Sequence, residues 1–295
     1  PDSAIRGWIE SRYLQLDPAI KMPKLLFSSE VLFTATPTDI DAIYETVDLS
    51  DYPVIPVNMG QARAIYERGL QAGADQYIVS KIGDCLSDNK HFLSPFRLNQ
   101  YDLDKYGNLE LVISHFREAL AYDSLAAYDG LVTSAVLDPV FANPLACLPG
   151  ESPLRCEYRV HHPSVAIIMF GAQDLLFTSA EDFDRNLRQI VHETIEANVI
   201  PILSTFPGNL ERWDQSVRYN QIVVRVALDY DIPLMNLWRA LYSLPNHGLN
   251  VDGRHLSLPF TNSGDFEPKN LQRGYPMRNL IALQALDTVW QNAMY

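Results

Sequence analysis

The chain has no uninterrupted apolar run of the roughly 18 to 20 residues that a membrane span requires, and a stretch such as Ala166-Ile167-Ile168-Met169-Phe170 is strand-sized. Positive charge is scarce. Lys and Arg total 23 against 36 Asp and Glu, a formal net charge of −13. That balance opposes phosphate backbones and anionic membrane surfaces, which are recognised through basic patches, so no nucleic-acid partner is expected. Neither a P-loop nor a G-x-G-x-x-G pattern occurs, which leaves nucleotide chemistry without a motif. Internal repeats and low-complexity tracts are also missing. What remains is an ordinary globular composition: 295 residues with 47% hydrophobic content can bury the core of one large α/β domain.

Cysteine is nearly absent as well, with 3 in the chain. Cys147 and Cys156 flank Leu148-Pro149-Gly150-Glu151-Ser152-Pro153-Leu154-Arg155, a turn-rich loop able to bring them together and leave Cys85 as the odd thiol. Two small, buried, unpaired thiols are the alternative. A disulfide persists best in an oxidising compartment, so an exported, extracellular or cell-surface protein is the expectation. The chain opens at Pro1 without an initiator Met, which fits a processed or truncated product.

From about residue 53 onward, short β-type runs alternate with amphipathic helices, the pattern of a parallel sheet covered on both faces. Helices are expected near 61–72, with Ala62, Ile65, Tyr66 and Gly69 on one side, and near 109–122, with Leu109, Val112, Ile113, Phe116 and Leu120. The Tyr77 to Ile82 strand lies between them. Val165 to Phe170 reads as a central strand buried on both faces. Thr178-Ser179-Ala180-Glu181-Asp182 then offers a capping-box-like start to a helix carrying Phe183, Leu187, Ile190, Val191 and Ile195. A strand over 199–206, a helix over 215–228, a strand at 232–237 and a last helix over 279–291 complete the series. The fold expected is flavodoxin-like, a three-layer α/β/α arrangement on a parallel sheet, with the ligand crevice at the carboxyl ends of the strands. Residues 1 to about 50, with Pro18, Pro23 and Pro37, show no clean period. We therefore divide the chain into an N-terminal extension packed on the core, 1–55, and an α/β domain, 56–295.

Two short motifs bear on chemistry. Tyr77 to Ile82 runs into Gly83-Asp84-Cys85-Leu86-Ser87, and a tight strand-to-helix turn at a sheet's carboxyl edge would expose Cys85 while aiming backbone N–H groups into the same space. An ordinary Gly-Asp turn with a small buried cysteine is the plainer reading. Near the other end, Asp252-Gly253-Arg254-His255 falls in a loop before the last helix, where the carboxylate can hold one imidazole nitrogen while the other faces a nucleophile. A chance match of so short a motif is the alternative.

In that order the two motifs resemble the first and last blocks of the SGNH (GDSL-type) esterases, with Cys85 where that family has serine. The resemblance spans about residues 60–295. Gly171-Ala172-Gln173-Asp174 follows the central strand where the family has G-x-N-D, so Gln173 stands in for the oxyanion-binding asparagine, longer by one methylene. The glycine block corresponds to Gly130 in Tyr128-Asp129-Gly130-Leu131. The segment from Pro149 to Arg159 looks like that of a bacterial subgroup with a cysteine-clamped insertion, which again points to Cys147 with Cys156. The family implies a monomer without metal or other cofactor, often secreted, that acts as an esterase, acetylhydrolase or lipase on a small-molecule or carbohydrate ester.

On this resemblance Cys85 is the nucleophile of a thioester mechanism, His255 its base and Asp252 the orienting carboxylate. The oxyanion donors are the Cys85 N–H, the Gly130 N–H and the Gln173 side chain. A thiol beside an imidazolium and helix N-terminal amides is expected to ionise more readily than a free thiol. The rival is a catalytically silent binding or cell-surface protein on the same scaffold, since two catalytic positions depart from the family together. Other features read more plainly. His161 and His162 are adjacent and cannot easily converge on one metal, His91, His115 and His192 read as surface residues, and His247 sits in a turn. Trp213, Trp238 and Trp290 suit packing better than stacking on a sugar.

Overall fold

The computed structural model describes residues 46–295. The expected N-terminal extension falls outside the described residues up to position 45. Its final stretch can be followed: Val47 and Leu49 are buried with Val224 and Trp238. Buried Asn236 ties it down, its side-chain amide donating to the carbonyls of Leu49 and Tyr52 at 2.8 and 3.0 Å.

Four parallel strands form the central sheet in spatial order β1-β2-β3-β4: β1 Asp75–Gly83, β2 Pro163–Met169, β3 Ile200–Ser204 and β4 Leu234–Met235. The main helices are α1 Ala62–Gln71, α2 Glu110–Phe116, α3 Pro153–His161, α4 Ala180–Glu196, α5 Trp213–Asp229 and α6 Gly274–Val289. Helices α1, α2 and α6 cover one face while α3, α4 and α5 cover the other, giving the expected three layers. β2 is buried along its whole length, as its apolar run requires. Beyond the free edge of β1, Gly83 makes a single parallel bridge to Ala127, so the segment around Ala127 occupies the place of a fifth strand.

Local chemistry explains the main elements. In α4, Ser179 Oγ accepts the Asp182 N–H at 3.1 Å, and Phe183, Leu187, Ile190 and Val191 are buried along one stripe. Each such side chain contributes about 1.5 to 3 kcal/mol on burial. Two departures from the expected pattern matter. The segment after Ser152 is helical, because Ser152 Oγ caps the Arg155 N–H and Pro153 fits the first turn. It is therefore not an extended loop through Arg155. Helix α6 begins at Gly274 rather than Asn279, with Tyr275, Pro276 and Arg278 already buried in its first turns.

Cys147 and Cys156 are joined by a disulfide, with Cα atoms 5.3 Å apart, and Cys85 is the free thiol. Among the described residues, no helix is long and apolar enough to cross a membrane.

Candidate active site

Strand β1 ends where only glycine fits. Gly83 has φ +154°, and a Cβ there would lie 2.2 Å from the Met169 carbonyl oxygen and 2.5 Å from Ser87 Oγ. The chain then turns tightly: Asp84 Oδ1 accepts the Leu86 N–H at 3.0 Å, and the Asp84 carbonyl accepts the N–H groups of Ser87 and Asp88 at 2.8 and 3.1 Å. No helix follows directly. Residues 84–93 form successive turns before a short helix, Ser94–Arg97. The side chains of Asp84 and Asn89 hold nearby backbone N–H groups, which competes with helical pairing. The expected strand-to-helix turn is thus a strand-to-turn junction, without the helix N-terminus thought to assist the thiol.

Cys85 is half-buried in this turn, and the Gln173 side-chain amide points at its sulfur, Nε2 to Sγ 3.9 Å. Burial pushes the thiol up to about 12; the neighbouring charges of Asp84 and Asp129 push the same way, and the Gln173 hydrogen bond and the Arg278 cation only partly oppose them. The expectation of a readily ionised thiol is therefore reversed. Asp84 itself is fully buried and raised to about 6, chiefly by loss of solvent, against the Leu86 N–H and the Arg278 charge.

Gln173 is delivered by the turn after β2. Gly171, φ +128°, passes so close to Phe206 that a Cβ would sit 2.1 Å from the ring. Next to Gln173, buried Asp174 accepts both the backbone N–H and the hydroxyl of Thr133, at 3.0 and 2.6 Å. It thereby fastens the loop that carries Gly130 to the carboxyl end of β2. Gly130 has φ +80° and open space around its α-carbon.

The second half of the candidate site is a formed carboxylate–imidazole pair. His255 Nδ1 and Asp252 Oδ2 are 2.8 Å apart, and Asp252 Oδ1 accepts the N–H groups of Arg254 and His255, both at 3.0 Å. Partial burial works to raise this carboxyl, but the two N–H groups and the imidazole outweigh it and hold it down to about 2. The loop lies beside the one that leaves β3, since the Leu210 N–H donates to the Gly253 carbonyl at 2.9 Å. No hydrogen bond joins His255 to Cys85 among the described residues; the sulfur's hydrogen-bond partner is Gln173.

Helix α6 spans the two halves. Its Gly274 N–H donates to Ser257 Oγ and its Tyr275 N–H to the Ser257 carbonyl, two residues beyond His255. One turn on, Arg278 donates to the Leu86 carbonyl and to Ser87 Oγ, inside the Cys85 turn. The Tyr275 phenol, raised mainly by burial, lies within the electrostatic reach of both Cys85 and Asp252. Sequence reasoning missed both residues, though the phase of an i, i+3 pair at the start of the last helix would place them on one face.

The remaining candidates make packing contacts. His161 Nδ1 lies 3.1 Å from buried Glu157, its ring stacked on Tyr122 at 4.4 Å, while His162 ends α3 in the left-handed region. Trp213 and Trp238 pack on each other at 4.5 Å, and Trp290 packs on His115 at 4.8 Å.

No protein-family model matches the chain. No curated protein matches it either. Solved structures do resemble it in fold. A lipase/acylhydrolase from Enterococcus faecalis is 17% identical with a TM-score of 0.45, over 72% of this chain and 94% of that one. The psychrotrophic esterase EstA from Pseudoalteromonas sp. is 15% identical with a TM-score of 0.47, over 74% and 100%. An acetylxylan esterase from Geobacillus stearothermophilus is 14% identical with a TM-score of 0.46, over 72% and 95%. At these identities the likeness concerns the fold alone.

Proposed function

We propose that the protein hydrolyses carboxylic esters of small alcohols or carbohydrates carrying short acyl groups, through a Cys85-His255-Asp252 triad. The observation that carries this reading is the ready-made Asp252–His255 pair on the same sheet edge as a sulfur addressed by the Gln173 amide. Because the thiol is held up to about 12, a standing thiolate–imidazolium pair does not fit. His255 instead takes the proton as the sulfur attacks, forming the S–C bond of a tetrahedral intermediate. Collapse to the thioester expels the alcohol, which receives that proton from His255. Water, deprotonated in turn by His255, then releases the acid and restores the thiol. The N–H groups of Cys85 and Gly130 and the Gln173 amide are the proposed oxyanion donors. The Cys147–Cys156 bond supports an exported, extracellular or cell-surface setting for the enzyme.

A second reading, a silent ester-binding protein, is favoured by one observation: the raised thiol has no hydrogen bond to the imidazole. Assays of p-nitrophenyl acetate and butyrate with native protein, Cys85→Ala, Cys85→Ser and His255→Ala separate the two. Turnover lost in both Ala variants supports the hydrolase. A silent native protein that gains activity as Cys85→Ser supports the binding protein.

A further inference from the structure

Arg278, in the second turn of α6, is fully buried. Its hydrogen bonds go to neutral groups, the Leu86 carbonyl and, at 3.2 Å, Ser87 Oγ, while its Nε makes none and its Cζ lies over the Phe92 ring, 3.7 Å from the centroid. Burying a guanidinium costs several kcal/mol, and an apolar side chain of similar volume often fills such a space with equal or greater stability. Packing alone therefore does not account for a cation here. Both acceptors belong to the two residues that follow Cys85, and buried Asp84, the residue before it, carries the opposing charge. Asp84 lies in the field of Arg278, as does Cys85, and the other charged or titrating groups that face this turn are buried Lys81, Asp88, Asp129, Asp174 and Tyr275.

We propose that Arg278, working against Asp84, is a positioning residue for the nucleophile: it grips the Cys85 turn through Leu86 and Ser87 and supplies the positive field that makes the sulfur available. The inference deepens the ester-hydrolase reading and rests on Cys85 being its reactive atom. A fork across two acceptors fixes the turn's orientation in a way a single ammonium contact does not. The buried pair also sets the response of the half-buried sulfur to pH, because both charges are themselves shielded from solvent.

The experiment follows alkylation of Cys85 by iodoacetamide from pH 6 to 10 with the disulfide intact, in native protein, Arg278→Met, Arg278→Lys and Asp84→Asn, with thermal melts by circular dichroism alongside. One charge is worth roughly one pK unit, so at pH 8 Arg278→Met alkylates about tenfold more slowly and Asp84→Asn about tenfold faster, while Arg278→Lys stays within about threefold of native. Native rates in both Arg278→Met and Asp84→Asn overturn the proposal. Should Arg278→Met fail to fold, an Asp84→Asn protein that alkylates at the native rate, or an Arg278→Lys protein slowed tenfold, overturns it. Alkylation does not depend on turnover. Shifted rates in a protein without esterase activity sink the hydrolase reading and leave the Arg278 assignment, and unshifted rates in an active esterase do the reverse.

Discussion

Two aspartates at one sheet edge behave in opposite ways. Asp252 sits in a partly open loop, takes two backbone N–H groups and an imidazole, and is held down to about 2. Asp84 is sealed under the Cys85 turn, takes one such N–H at 3.0 Å, and is raised to about 6. The contrast shows what enclosure does to a carboxylate: Asp84 has Arg278 in reach and still rises, because it has lost its solvent, whereas the partly open Asp252 is held down by the groups that donate to it. It also separates the proposed site into a half that is ready, the base, and a half that is restrained, the nucleophile.

The sharpest way to test that division is to remove one group from each half. Cys85→Ala and His255→Ala should each lower kcat/KM for p-nitrophenyl acetate by about 10⁴-fold, and the double variant should lose little more, because the two act as a unit. Independent, additive losses would break the pairing.

Asp84→Asn tests the restrained half through stability. The folded carboxyl lies at about 6 against an ordinary 3.8, so the folded state holds that proton more tightly. Its contribution is fully present below pH 3.8 and is lost as pH rises through 6. Removing the charge should therefore stabilise the protein by about 3 kcal/mol at pH 7 and by almost nothing at pH 3.5, measured by urea unfolding.

Gln173→Ala addresses the group aimed at the sulfur. Loss of one oxyanion donor should lower kcat by about 100-fold with KM little changed. An equal rise in KM would instead make Gln173 a ground-state contact. Outside both halves, replacing Cys147 and Cys156 by Ala should reduce stability by about 2.5 kcal/mol while leaving the Cys85 alkylation profile unmoved.

Much of the architecture could be read from periodicity. The stripe Phe183, Leu187, Ile190, Val191 and its Ser179 cap appear where the spacing places them. Helix α6 was harder to delimit because nearly all of its start is buried, with Gly274, Tyr275, Pro276, Arg278 and Asn279 enclosed and Met277 partly so, leaving no amphipathic face to mark it. Helix α3 carried a readable signal in Ser152-Pro153 that a turn-rich context obscured. Cys85 and Gln173 lie just past the ends of β1 and β2, and the Asp252-His255 pair lies in a loop before α6, in the order the motifs have along the chain. The ionisation of the sulfur could not be read that way, because it depends on enclosure and on Arg278, almost two hundred positions away in the chain, and neither leaves a local trace.

The bond between Cys147 and Cys156 has a consequence for how the protein meets peroxide. With those two sulfurs committed to each other, no second thiol remains in the chain to condense with a sulfenic acid formed at Cys85. Reduction through a disulfide then depends on a thiol from outside the chain, and without one a sulfenic acid here is open to further oxidation to the irreversible sulfinic and sulfonic acids.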